Sequence, residues 1–184
     1  MLRIIAFLLV VVGVIFNSNA QQIKIGIGPE IISPGFSGLS TVPSKGFGAT
    51  LHFEMPITSK SSLMLRVGYI DFPPLELNLF NIAKLGLEFT VIPVELGPKI
   101  YFSKLIYFQA NAEVFFIGGK VGLTSSDSKV EATTEWFRAY GGAIGLGIEP
   151  EIAERINLDI SFRYALNQAT VDYISTRIGL NYQL

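Results

Sequence analysis

No cysteine occurs anywhere in the 184 residues. Disulfide frameworks, thiolate zinc sites and lipid attachment through a lipobox cysteine are thereby excluded. Charge is scarce too: Asp, Glu, Lys and Arg make up 16% of the chain, against roughly 25% in soluble domains. The formal net charge of −1 removes the electrostatic footprint of a nucleic-acid-binding protein. A long apolar run is also missing. The best candidate, Ile4 to Phe16, spans 13 residues, short of the ~20 that a membrane-crossing helix needs. Beyond it, Gly, Pro or polar residues interrupt every apolar stretch. Yet hydrophobic residues amount to 49% of the chain. So apolar a chain without helical spans points to the other structure that satisfies its backbone in lipid, a closed β-barrel.

The N-terminus reads as an export signal. Arg3 precedes the apolar run, Asn17 closes it, and Ser18 and Ala20 supply small residues for cleavage after Ala20. Residues 21–184 then form one domain.

Eight segments of that domain alternate with period two, the strand signal. The clearest sets Ile156, Leu158, Ile160, Phe162 and Tyr164 against Asn157, Asp159, Ser161 and Arg163. The others centre on 23–28, 47–55, 63–69, 86–102, 108–116, 139–148 and 174–184. In the fourth, Leu87, Phe89 and Val91 stand in the opposite phase to Ile92, Val94 and Leu96, which predicts a bulge near Val91 to Pro93. Links near 58–61, 103–105 and 150–154 are short, those near 31–45, 73–85 and 118–134 are long, and 166–171 is intermediate. Strict short–long alternation predicts an antiparallel, up-and-down, eight-stranded transmembrane β-barrel with tight periplasmic turns and both termini inside. Aromatics near the strand ends, among them Tyr69, Tyr101, Phe102, Tyr107, Phe115, Trp136, Tyr140, Tyr173 and Tyr182, are assigned to interfacial girdles.

Volume decides which face points inward. About thirty bulky apolar side chains cannot enter an eight-stranded barrel, whose interior is just wide enough to be filled by side chains. The polar set therefore lines the lumen: Lys24, Arg66, Lys99, Arg155, Arg163 and Arg177 against Glu54, Glu95, Glu113 and Asp159. Buried charges of mixed sign are tolerable when paired, and the expected network stoppers the barrel.

The terminal Arg177-x-Gly179-x-x-Tyr182-x-Leu184 and the run Ile92-Pro93-Val94-Glu95-Leu96-Gly97-Pro98-Lys99-Ile100-Tyr101-Phe102 resemble the small outer-membrane β-barrel family of the OmpA/OmpX type. The resemblance covers the whole mature region. It implies residence in the outer membrane of a Gram-negative bacterium, contact with lipopolysaccharide and other outer-membrane lipids, and delivery by periplasmic chaperones to the barrel-assembly machinery. Arg177, Gly179, Tyr182 and Leu184 would be the insertion signal. The chain departs from the family in ending on Leu184, where Phe or Trp is usual. No peptidoglycan-binding domain follows the barrel, so wall anchoring is not implied.

No catalytic, cofactor or metal site is expected. His52, the single histidine, has Glu54 two residues away on the same face. A lipid-modifying acid–base pair is one reading, and a lumen histidine bonded to Glu54 and a neighbouring strand is the favoured one. The glycine-rich stretch Gly141 to Gly147 lacks the order of a phosphate loop and reads as small inward residues opposite bulky ones. The apolar link 73–85 is expected to cap the mouth, with a binding patch as the alternative. Residues 118–134 keep alternating around Ser125 to Ser128, which predicts a hairpin projecting beyond the membrane, where an edge can pair with a partner strand. Arg138 falls on the outward phase, near lipid phosphate or snorkelling into water. The leading functional reading is a non-enzymatic barrel with a structural or surface-interaction role. Its alternatives are a binding or transport barrel for small hydrophobic solutes and a lipid-modifying enzyme.

Overall fold

The computed structural model describes residues 23–34, 45–79, 83–125, 129–168 and 172–184. The predicted export signal and most of the 31–45 link lie outside them, as do residues 126–128 of the polar turn. Nine strands follow one another: β1 (Lys24–Pro34), β2 (Gly46–Thr58), β3 (Ser61–Leu79), β4 (Ala83–Tyr101), β5 (Ile106–Ser125), β6 (Lys129–Ile148), β7 (Glu151–Ala153), β8 (Ile156–Asn167) and β9 (Tyr173–Gln183). Each of β1 to β6 pairs antiparallel with its sequence neighbour, β8 pairs β9, and the β1–β9 and β6–β8 pairings close a ring of eight. The extra strand, β7, is a three-residue piece of a turn that pairs only with β8. Closure leaves no free edge within the ring, the condition for a sheet in lipid.

One end of the ring is held by compact turns. Ser103 Oγ accepts from the backbone N–H of Leu105 and Ile106 at 3.2 and 3.0 Å, which fixes the β4–β5 turn. Thr58 Oγ1 and Ser61 Oγ meet at 2.7 Å across the β2–β3 turn. In the β7–β8 turn Arg155 takes φ 64, a left-handed conformation uncommon outside glycine. It is exposed there. The expectation that Arg155 lines the lumen is therefore corrected: the turn removes it from the alternation that carries Asp159 and Arg163. The first and last strands also end here, with Lys24 opposite Gln183.

At the other end, β3, β4, β5 and β6 continue as a four-stranded sheet. Leu79 is opposite Ala83, Ala83 opposite Ser125, and Thr124 opposite Lys129. The hairpin predicted for 118–134 is present. The 73–85 link, expected as a loop capping the mouth, is mostly strand of a second hairpin beside it. The predicted bulge at Val91 to Pro93 is absent, because β4 keeps one register with β5 from Ala83 to Tyr101. Towards the projection the bulges sit on β3, between Phe72 and Leu75, and at the β5–β6 pairing beside Ile117 and Gly119; at the turn end the register shifts between Pro56 and Thr58 and between Glu151 and Ala153.

What changes along β4 is polarity, not phase. Within the ring, inward Glu95 and Lys99 are buried while outward Leu96 and Ile100 are exposed. Towards the projection the inward positions become Phe89 and Val91, and the outward ones become Thr90 and Glu88. The same inversion runs along β5, where inward Glu113 gives way to Phe115 and Ile117 and outward Phe116 to Lys120. A strand whose outside passes from lipid-like to water-like surroundings must invert its pattern in this way.

Candidate functional site

The lumen holds the unusual chemistry. Among the described residues, the largest fully buried side chains include Arg66, Arg163, Arg177, Lys99, Glu30, Glu95 and Glu113. Glycines make the space for them. A Cβ on Gly145 would meet the Arg163 side chain, one on Gly147 the Tyr107 ring, and one on Gly179 the Arg177 guanidinium. The glycines of β6 thus accommodate lumen side chains, as their spacing suggested.

Near the turn end, Lys99 Nζ donates to Glu54 at 2.9 Å and to Glu149 at 2.5 Å, and Lys24 Nζ donates to Glu149 at 2.8 Å. The Tyr101 hydroxyl lies 2.8 Å from a Glu54 oxygen and 2.7 Å from a Glu149 oxygen. Lys99 also stands 3.9 Å from the centre of the Tyr107 ring, a cation–π contact within a desolvated site. In the middle, Arg177 Nη1 bonds Asp159 at 2.7 Å, and its Nε donates to Thr50 at 2.8 Å. Tyr107 donates to the second Asp159 oxygen at 2.6 Å. Further along, Arg163 pairs with Glu30, Glu95 and, at 3.1 Å, Glu113. Arg66 lies 3.5 Å from Glu95, Asn111 donates to Glu95 at 3.0 Å, and Tyr173 donates to Glu113 at 3.0 Å.

Above this tier the lumen turns apolar. Ile32, Ile70, Phe115, Ala139, Ala143, Ala165 and Tyr173 form one buried cluster, with Phe72, Val91 and Ile117 against it. Phe115 and Tyr173 meet edge to face, 5.8 Å between centroids, a favourable aromatic arrangement.

The structure brings together Lys24, Glu54, Arg66, Glu95, Lys99, Glu113, Asp159, Arg163 and Arg177. It adds Glu30 and Glu149, which the sequence reading missed. Glu30 stands two residues past the alternating run that ends at Gly28, and Glu149 follows the last residue of β6, so neither fell inside a recognised pattern. Tyr101, Tyr107, Phe115 and Tyr173, assigned to the girdles, point inward instead. The signal was present, since Tyr107 shares the phase of Gln109, Asn111 and Glu113, and Tyr173 that of Ser175 and Arg177. Tyr69, Phe102, Trp136, Tyr140 and Tyr182 are exposed, as a girdle requires.

His52 forms neither of its expected bonds. It is 1% exposed, and neither ring nitrogen has a hydrogen-bond partner among the described residues. Glu54 bonds Ser62, Lys99 and Tyr101 instead. The His52 ring lies over Gly26 beside Asn181.

The outer surface is the inverse of a soluble core. Ile27, Leu51, Leu65, Leu96, Ile144, Leu146, Ile178 and Leu180, spread around the ring, are exposed. Arg138 is exposed and outward, its guanidinium 5.7 Å from the Phe116 ring centre.

No family model matches this sequence, and no curated protein does. Solved structures do match. The chain is similar to Ail, the attachment invasion locus protein of Yersinia pestis, with a TM-score of 0.60 and 13% identity over 89% of this chain and 98% of that one. It is similar to the outer membrane protein OprG from Pseudomonas aeruginosa, at 0.60 and 13% over 90% and 96%. A third is Neisserial surface protein A, at 0.56 and 11% over 88% and 97%. In strand number, pairing and overall course, the chain has the fold of the small eight-stranded outer-membrane β-barrels, the OmpA/OmpX type.

Proposed function

We propose that the protein is an integral outer-membrane barrel with an ionically stoppered lumen, whose role is to present the four-stranded projection for surface interaction. One observation carries this reading: the polarity of β4 and β5 inverts where the strands leave the ring. Among the described residues, the outward face of β4 and β5 is apolar along the ring, at Leu96, Ile100 and Phe116, and turns polar beyond it, at Glu88, Thr90 and Lys120, as expected at the limit of a bilayer's hydrocarbon band. The lumen network favours a structural role over conduction, because Arg163, Arg177 and Lys99 each fill the interior with paired charge. On this reading Arg177, Gly179, Tyr182 and Leu184 direct insertion through the assembly machinery after chaperone delivery. Residues 1–20 direct export, and the belt contacts lipopolysaccharide and phospholipid.

The projection offers a free edge. β6 pairs with β8 only from Gly141 to Ile148, so its stretch from Lys129 to Ala139 has no neighbour on that side among the described residues. Such an edge can accept a partner strand. The apolar inward face of the projection, including Leu87, Phe89 and Val121, supports the second reading, a mouth for small hydrophobic solutes.

Fractionation with gel migration before and after boiling tests the premise. Folded protein in the outer-membrane fraction, migrating differently once heated, is the expected result; a detergent-free periplasmic monomer overturns it. In planar bilayers the stoppered lumen gives no stable open state, and sustained conductance that survives trimming of the projection would favour the transport reading.

A further inference from the structure

At the turn end of the ring, a pocket of about 830 Å³ opens onto the lumen network at Lys24 and Glu54. Two neighbouring turns wall it, the β2–β3 turn with Lys60 and the β4–β5 turn with Lys104. Hydrogen bonds hold these walls in fixed relation. The Tyr101 N–H donates to the Lys60 carbonyl at 2.8 Å, and the Lys60 N–H donates to Thr58 Oγ1 at 3.2 Å. Ser103 Oγ fixes the second turn from within, accepting from Leu105 and Ile106. Lys24, at the start of β1, adds a third ammonium to the lining.

The charge of this lining is unbalanced. Its one carboxylate, Glu54, is already engaged: Ser62 and Tyr101 reach one oxygen and Lys99 the other. Lys24 pairs with Glu149 at 2.8 Å, yet its side chain keeps 18% exposure. Of an ammonium's three donors, Glu149 and Tyr101 take only two. Lys60 and Lys104 are exposed, and neither pairs with a carboxylate among the described residues. Glu151 and Glu154, exposed acids near this end, lie on β7 and the turn after it, outside the lining. Two cations thus share one pocket without a counter-charge.

We propose that this pocket binds a small, soluble phosphate monoester of a polyol, such as a glycerol or sugar phosphate. Charge supplies the first reason. A monoester carries about −1.5 to −2 at neutral pH, which matches the two unpaired lysines. Shape supplies the second. Ammonium groups act as separate point charges and suit a tetrahedral oxyanion approached from several directions. A planar carboxylate is best met by an arginine fork, and the lining holds no arginine. Ser59, Ser61 and Gln183 bring hydroxyl and amide groups that donate and accept, as the polyol needs. The volume falls among small-molecule sites, roughly 300–1,000 Å³. Binding rests on the pocket alone. That the solute arrives from the periplasm rests on the membrane reading above, which puts the compact turns on that side.

Titration calorimetry of the protein refolded in nonionic detergent, with glycerol 3-phosphate as the probe, is the test. Saturable binding that weakens with added salt is expected, and glycerol alone gives none. Lys60→Ala and Lys104→Ala each lower the affinity about tenfold, the equivalent of one charge-assisted hydrogen bond, and together they remove it. Both are exposed turn positions, and gel migration before and after boiling checks that each variant folds. Lys120→Ala, in the projection, leaves the affinity unchanged. No binding by folded wild type overturns the proposal, as does wild-type affinity in the double variant or equal affinity for succinate. Nanodiscs with and without phosphatidylglycerol separate the two sources of phosphate: displacement of the solute by that lipid makes the pocket a headgroup site and sinks the proposal. Protein that binds the solute but is absent from the outer membrane keeps the pocket and loses only the periplasmic source.

Discussion

Arg163 faces Glu30, Glu95 and Glu113 in a space where it is 1% exposed. Removing the cation leaves three carboxylates without their shared partner, a loss that typically costs about 3–5 kcal/mol. Arg163→Leu is therefore expected to lower the urea midpoint of the detergent-solubilised barrel sharply. Glu113→Gln, which keeps size and leaves Arg163 two carboxylates, should shift it far less. Equal midpoints for the two variants would show that Arg163 is not the hub. Glycine gives the complementary case. Gly147→Val places a side chain where the Tyr107 ring lies and displaces the phenol that donates to Asp159. Loss of the heat-modifiable band is the outcome to look for, with Gly142→Val as control, since a Cβ there meets only the backbone oxygen of Asn111, at 3.2 Å. Period-two reading found the lumen charges at this scale because each lay inside an uninterrupted run. Glu149 was out of reach: it belongs to the lumen through the closing of the ring, which brings it to Lys24, a residue 125 positions away.

Among the elements, β3 to β6 have 19 or 20 residues each, whereas β1, β2, β8 and β9 have 11 to 13. The excess lies in the projection, beyond the rows that close the ring. Shortening both long hairpins to the level of Phe72 and Gly119 is expected to leave barrel folding intact, judged by gel migration and the far-ultraviolet spectrum, while abolishing any partner capture by the β6 edge. The element boundaries were the least legible part of the sequence. Leu87, Phe89 and Val91 looked like a backbone irregularity because alternation was expected to carry one meaning along the whole strand. Alternation records which side is wetter, and that side exchanges at the membrane surface. A run that keeps its step while swapping its faces is therefore a boundary marker, readable once the solvent on each side is known.

For the whole molecule, burial runs opposite to a soluble protein: charge inside, hydrocarbon outside. Leu96 is 50% exposed at mid-belt, and Leu96→Arg should cost about 2–4 kcal/mol in bilayers while making little difference to a protein standing in water. Comparison of refolding yield in vesicles separates the two cases. The interior carries polar atoms with no partner among the described residues, including both nitrogens of His52, Gln109 Nε2, Ser161 Oγ and Asn181 Oδ1. Buried polar groups are almost always satisfied, so ordered water should occupy the lumen beside them. High-resolution diffraction is expected to show it bridging His52, and a dry lumen would contradict the prediction.

The uneven strand lengths give the described structure a front and a back. Something drifting in the plane of the membrane meets a palisade of paired backbone from the β4 side and, among the described strands, a low sill from the β9 side. On the described strands alone, the inward face of the projection is walled by paired backbone on the β4 side and left uncovered on the β9 side.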